Sequence, residues 1–259
     1  QHDARGKHTG YLRSSMSSPL RIGVIGAGHL GRIHLRCLQS LADRWDTVGF
    51  YDPDEAALIE VKKAAEDGLW PTTPVAFPTA EALLDAVDAV AIVTPTPLHA
   101  RMAELALDRG VHCFIEKPVT HHLQEAEALV AARDRAQRVV QVGHVERFNP
   151  AFEAARAHLQ TPRFIEAHRL APFNPRGLDV PVVMDLMIHD IDLALHVLEG
   201  EVTRVAANGV AVVGDSVDIA NARLEFSSGA VANLTASRVS INPMRKVRLF
   251  QPDAYLSVD

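Results

Sequence analysis

Only two cysteines, Cys37 and Cys113, occur in 259 residues. That excludes a disulfide framework and a cysteine-built metal site. Both read as small buried side chains in a reducing, cytoplasmic compartment. The thirteen histidines are scattered and show no H-E-x-x-H spacing, so no metal is expected. No apolar run reaches the ~18 residues that a bilayer-spanning helix needs, which argues against a membrane protein. The net charge is −6 without a basic block, so nucleic acid is not an expected partner. Gln1–Pro19 is polar and lacks the apolar core of a secretory signal. It reads as a disordered or appended tail, with Met16 a natural start. Repeats and low-complexity segments are absent. What remains, 47% hydrophobic and 22% charged, is ordinary globular composition with room for two cores.

The most informative stretch is Arg21–Leu35. Ile22-Gly23-Val24-Ile25 reads as a short buried strand, and a helix-like run follows Gly26-Ala27-Gly28-His29-Leu30-Gly31. This is G-x-G-x-x-G between a strand and a helix. Gly26 permits the tight turn, Gly28 lets main chain approach a diphosphate, and Gly31 lets the helix pack closely. The helix start then attracts the anion. A second strand, Thr47–Tyr51, ends at Asp52, 21 residues after Gly31. A carboxylate there accepts hydrogen bonds from ribose hydroxyls and repels a 2′-phosphate, so NAD is expected rather than NADP. A plain glycine-rich turn would explain the loop alone, but not the acid placed after the next strand.

The first half alternates strand and helix patterns. Helices are expected at Ile33–Ala42, Asp54–Ala65, Ala80–Ala86, Leu98–Arg109 and His122–Ala136. Strands are expected at Ala89–Val93, Val111–Ile115 and Val139–Gly143, and Pro71–Pro78 reads as a loop with a short strand. Strands separated by helices imply right-handed crossovers and a parallel sheet. After Asn149 the pattern changes. Helices at Ala151–His158 and Met184–Leu198 accompany strands at Arg163–Ala171, Val202–Val213, Asp218–Phe226, Ala230–Val239 and Arg245–Leu249. Ser227-Ser228-Gly229 reads as a hairpin turn. The fold class is α/β, with three parts: a tail at 1–19, a Rossmann dinucleotide-binding domain at 20–148, and an α+β domain at 149–259. The last is expected to hold an open, mostly antiparallel sheet.

Ligands of open α/β sheets bind outside the carboxyl ends of the strands. Two further loops fall there. Thr94-Pro95-Thr96-Pro97-Leu98-His99 is stiffened by its prolines; a rigid turn with Thr96 as a helix cap is the bland alternative. Glu116-Lys117-Pro118 follows a buried strand, and Lys117–Pro118 is a candidate cis peptide. An ammonium held there can hydrogen-bond a substrate hydroxyl as it loses its proton; a solvated strand-end lysine is the alternative. On the later helix, Asp185 and His189 stand four apart among apolar residues, so they share one face. His189 suits proton removal from an alcohol, Asp185 can orient it or touch substrate, and Asp192 can hold its other nitrogen. The alternative is a helix cap at Asp185 and a satisfied core histidine.

These motifs occur in the order found in the Gfo/Idh/MocA oxidoreductases, which the chain resembles over about residues 20–259. The resemblance implies a Rossmann domain, then a domain whose open sheet mediates oligomers, and hydride transfer from a sugar or cyclitol carbinol to NAD(P). It implies Lys117 and His189 as the proton-handling pair, Asp185 positioning substrate and nicotinamide, and Glu116 near the nicotinamide. Thr94, Pro95 and His99 would line the cofactor. The string His144-Val145-Glu146-Arg147-Phe148-Asn149-Pro150, together with Met184–Asp192, is similar to the subgroup that oxidises the 3-hydroxyl of UDP-N-acetylglucosamine. Arg147 is then a candidate for diphosphate or sugar contact, with pairing to Glu146 or another acid as its alternative. The resemblance leaves open another sugar, cyclitol or sugar nucleotide as substrate, and a non-catalytic NAD-binding regulator. A homo-dimer or homo-tetramer is expected. Family members are longer than this chain, so the second domain is expected to be incomplete at its C-terminus.

Overall fold

The computed structural model describes residues 19–68, 70–174 and 180–259. The expected tail lies outside these residues except for Pro19. The chain divides into two compact units between Gly143 and His144.

The first unit holds a five-stranded parallel sheet in the order β2-β1-β3-β4-β5. The strands are β1 (Leu20–Ile25), β2 (Trp45–Tyr51), β3 (Ala89–Ile92), β4 (His112–Ile115) and β5 (Val140–Val142). A parallel bridge from Phe50 to Ala76 adds the remnant of a sixth strand beside β2, in the expected proline-rich loop. Ile22–Ile25 and Ala89–Ile92 are buried throughout, as the near-continuous apolar runs of a covered parallel sheet require. Helices α1 (His29–Gln39), α2 (Glu55–Glu66), α3 (Ala80–Leu84), α4 (His99–Asp108) and α5 (Leu123–Ala136) connect the strands. Their ends are written locally. Asp54 and Thr79 accept hydrogen bonds from Ala56 and Ala82 N–H and cap α2 and α3. Gly110, at φ +71°, closes α4 in the left-handed conformation. Leu35, Leu83, Ile92 and Ile115 have almost no exposed surface; burying each contributes about 1.5–3 kcal/mol. Cys113 is buried as expected, but Cys37 is exposed because it sits on the outer face of α1, away from the Gly31–Leu35 stripe.

The second unit holds a six-stranded sheet in the order β11-β10-β6-β9-β8-β7. These are β6 (Phe164–Leu170), β7 (Val202–Val210), β8 (Ile219–Phe226), β9 (Val231–Ser237), β10 (Met244–Gln251) and β11 (Ala254–Val258). Only β6 and β9 pair in parallel, so the sheet is mostly antiparallel. Burial alternates along β6, β8 and β9. One face packs with α6 (Pro150–Arg156), α7 (Ile188–Val197) and the turn before it around Ile165, Met187, Leu193, Leu234 and Leu249. The other face carries half-exposed polar pairs such as Arg248–Glu166 and Asn221–Thr235.

Three details depart from expectation. The single helix expected at Met184–Leu198 begins instead as a wider π-helical turn, Val183–Met187, where Ile188 N–H reaches back five residues to Val183 O. Strand β7 stops at Val210, not Val213, because the Asp218 carboxylate captures the N–H groups of Val212 and Val213 at 2.8 Å each. Strand β11 was not foreseen; Pro252-Asp253 turns β10 directly into it, with Gln251 opposite Ala254.

Candidate active site

The first unit places its candidates along the carboxyl ends of β1, β2, β3 and β4. Gly26, at φ +95°, donates its N–H to Tyr51 O at 2.9 Å, and a Cβ there would press on the Val93 carbonyl at 2.7 Å. A Cβ on Gly31 would lie 1.9 Å from Gly26 O, so only glycine lets α1 begin against this turn. At Gly28 a Cβ would meet nothing within 4 Å, which leaves open the ground a diphosphate needs. The first turn of α1 has no acidic residue and no side-chain cap, and His29 and Leu30 are exposed beside it. Its N–H groups and positive dipole are therefore available to an anion. These features fit NAD.

Asp52 stands at the end of β2 as expected. One oxygen accepts from Ala27 N–H at 2.6 Å and the other from Asp54 N–H at 2.9 Å. The carboxylate thus braces the glycine loop and keeps acceptor capacity for ribose hydroxyls. Thr94 ends β3 with its hydroxyl oxygen buried and without a protein partner. Pro95 opens a short 3₁₀ turn, Thr96–Leu98, and the Thr96 side chain caps neither this turn nor α4. His99 departs from expectation. It is 1% exposed, and its ring nitrogens lie 2.8 Å from Thr94 O and Pro118 O. It clamps two loops together, which consumes both nitrogens and leaves neither for a ligand.

At the end of β4, Glu116 is buried, Lys117 is half-buried, and the Lys117–Pro118 bond is cis. One Glu116 oxygen lies 2.9 Å from His34 Nε2, and the other accepts from Lys117 N–H at 3.2 Å. Burial would push this carboxyl up, but the His34 hydrogen bond and the charges of His34 and Lys117 outweigh it. Glu116 is held below the usual carboxylate range.

In the second unit, Asp185 lies within the π-helical turn and His189 in the first turn of α7. Asp185 is not a cap: its own N–H donates to Pro181 O. Such wide turns recur at functional sites. Asp192, expected beside His189, instead receives Arg147 in a two-point pair at 2.7 and 2.5 Å, with His144 Nδ1 at 3.8 Å. Arg147 therefore takes the ion-pair alternative, with Asp192 rather than Glu146. Arg169 and Asp190 form a second pair, almost fully buried, at 2.8–3.2 Å. Glu146 joins it 3.5 Å from Arg169. Adjacent residues of the Glu146-Arg147 string thus join the two ion pairs, Glu146 beside Arg169 and Arg147 on Asp192. Sequence reasoning missed His34 and Arg169. The signal for His34 was its place three residues after Gly31, beside Leu35 on the inward side of α1; for Arg169 it was a charge on an inward position of β6. Among the described residues, no group of His, Cys, Asp and Glu could hold a metal ion.

A dinucleotide cradle on a parallel sheet, with a lysine at the neighbouring strand end, defines a nicotinamide-dependent dehydrogenase. Residues 20–144 match the family model for the oxidoreductase family with NAD-binding Rossmann fold, and residues 153–250 match the GFO/IDH/MocA C-terminal domain. UDP-N-acetylglucosamine 3-dehydrogenase of Acidithiobacillus ferrooxidans is 46% identical over 241 residues, covering 93% of this chain and 74% of that protein. Its solved structure superimposes with a TM-score of 0.84 over 93% of this chain and 77% of that one. The scyllo-inositol 2-dehydrogenase (NAD(+)) of Bacillus subtilis is 30% identical, covering 87% and 69% of the two chains. The chain belongs to the Gfo/Idh/MocA family of NAD-binding oxidoreductases.

Proposed function

We propose that this dehydrogenase oxidises the 3-hydroxyl of UDP-N-acetylglucosamine to a ketone. The observation that carries this reading is the 46% identity to an enzyme of that name across 93% of the chain. The glycine loop, Asp52, Thr94, Pro95 and Glu116 hold NAD, with His99 bracing the loop walls. Bound NAD supplies the acceptor for the hydride that leaves the carbinol carbon. His189 takes the hydroxyl proton, and Asp185 orients the imidazole and the sugar. The Lys117 ammonium hydrogen-bonds the oxygen as negative charge develops, which a positioned cation stabilises strongly. The balance is alcohol and NAD giving ketone, NADH and one proton. Arg147 acts on α7 through Asp192 rather than on the sugar nucleotide. A cyclitol is the second reading, resting on the 30% identity to an inositol enzyme. Self-association to a dimer or tetramer would use the second sheet's polar, helix-free face. Cysteine usage favours the cytoplasm.

The test is NADH formation from NAD with UDP-N-acetylglucosamine, UDP, free N-acetylglucosamine and myo-inositol, using a ketone trap. Turnover of the UDP-sugar alone is the expected result. Lys117→Met and His189→Asn should each lower kcat by about 10²–10⁴-fold with NAD affinity unchanged. Turnover of inositol alone would replace the substrate. Parent-like rates in both variants would remove the assigned roles.

A further inference from the structure

We propose that His34 is a positioning residue for hydride transfer: its imidazole fixes the Glu116 carboxylate, and that carboxylate fixes the main chain of Lys117. The proposal takes from the functional reading only that Lys117 acts on the substrate. Its structural basis lies wholly in the first unit.

His34 sits in the second turn of α1, the helix whose first turn follows the glycine loop. Its ring tilts against Phe114 at 5.5 Å between centroids, which fixes the ring's direction. Nε2 points at Glu116 Oε1 at 2.9 Å. An ionised carboxylate only accepts, so Nε2 carries the proton and the contact is a charge-assisted hydrogen bond. The second oxygen, Oε2, is committed to Lys117 N–H at 3.2 Å. The carboxylate fits because residue 143, just beyond β5, is glycine: a Cβ there would lie 3.0 Å from each oxygen. The groups that act on Glu116 are His34 from α1 and Lys117 from its own loop, and both hold its carboxyl down. One helix therefore fixes the diphosphate end of the cradle at its first turn and the lysine end from its second. An exposed histidine would have no such reach; this side chain is only 18% exposed.

The variants are His34→Leu, which removes the donor, and His34→Gln, whose terminal amide returns a donor to the place of Nε2. Two readouts are taken on the full chain. The first is the titration of Glu116, followed by ¹³C-carboxyl NMR with Glu116→Gln to assign the signal. The second is kcat and KM with the sugar nucleotide, beside the Kd for NAD. In His34→Leu the Glu116 midpoint should move up, and kcat should fall on the order of 10-fold or more, as for a displaced catalytic group. His34→Gln should restore most of both. An unmoved Glu116 midpoint, a parent-like kcat in His34→Leu, or a His34→Gln no better than His34→Leu would each overturn the proposal. If His34→Leu fails to fold, His34→Asn, whose amide stops short of Oε1, takes its place. If the parent turns over no sugar nucleotide, the substrate reading has failed; the titration and the Lys117 amide chemical shift then decide the His34 linkage.

Discussion

Asp218 has no exposed surface, yet it carries a charge. Its Oδ2 accepts from the N–H groups of Val212 and Val213 at 2.8 Å each and Gly214 at 3.4 Å, and its Oδ1 accepts from Arg238 Nε at 2.7 Å. These donors hold its carboxyl well below the usual range, the main-chain groups most of all. A depressed folded-state value means that the unfolded chain binds the proton more tightly. The stabilisation is therefore complete above the unfolded value of about 4 and is lost as pH falls through the folded value. Asp218→Asn should be less stable than the parent at neutral pH, and the gap should close with acidification below about pH 4. Urea midpoints of both proteins across that range decide it, and a gap that stays constant would show that Asp218 does not act through its charge. Its main-chain donors lie four to six residues before it, but nothing in the sequence marked Arg238, which reaches it from beyond the end of β9. Arg147–Asp192 and His34–Glu116 were hidden for the same reason. Strand-end residues such as Asp52 and Lys117 were legible because the fold puts ligands at those ends.

Helix α7 is held by charge at two buried positions. Asp190 pairs with Arg169 and Asp192 with Arg147, so positions 190 and 192 are tied to β6 and to the residue 145–148 turn. Burial pushes the Asp190 carboxyl up against the pull of Arg169, so the pair contributes less than its three hydrogen bonds would suggest. Breaking it is another matter. Asp190→Ala leaves the buried guanidinium with Glu146 at 3.5 Å as its remaining acid and should cost about 3 kcal/mol, while Arg169→Met combined with Asp190→Leu should recover most of that. Urea unfolding gives the magnitude, and amide exchange along α7 should quicken in the single variant alone. Equal losses in the single and double variants would mean that packing, not the stranded charge, sets the cost. Most elements were readable from caps and periodicity: Asp54 and Gly110 stand where α2 begins and α4 ends. The π-helical turn was not readable, since one apolar turn has the same pattern whether it closes over four or five residues. Strand β11 was missed although Pro252-Asp253 marked its turn.

At the scale of the whole molecule, each unit carries its own apolar core, and both tryptophans, Trp45 and Trp70, belong to the first. Tryptophan emission therefore follows the NAD-binding unit and not the second sheet. A ligand that binds only the folded form raises stability by about 2.7 kcal/mol at about 100 times its Kd. NAD at that concentration should move the urea midpoint seen by tryptophan emission to higher denaturant by the corresponding amount. Gly28→Val provides the control, because a side chain there enters open space in the free protein and diphosphate space in the complex. Its backbone, at φ −60° and ψ −163°, lies outside the left-handed region that favours glycine. The ligand-free midpoint of Gly28→Val should stay within about 1 kcal/mol of the parent, while its response to NAD disappears. A parent midpoint that ignores NAD would contradict binding at this loop. An undiminished response in Gly28→Val would place the diphosphate elsewhere on the first unit.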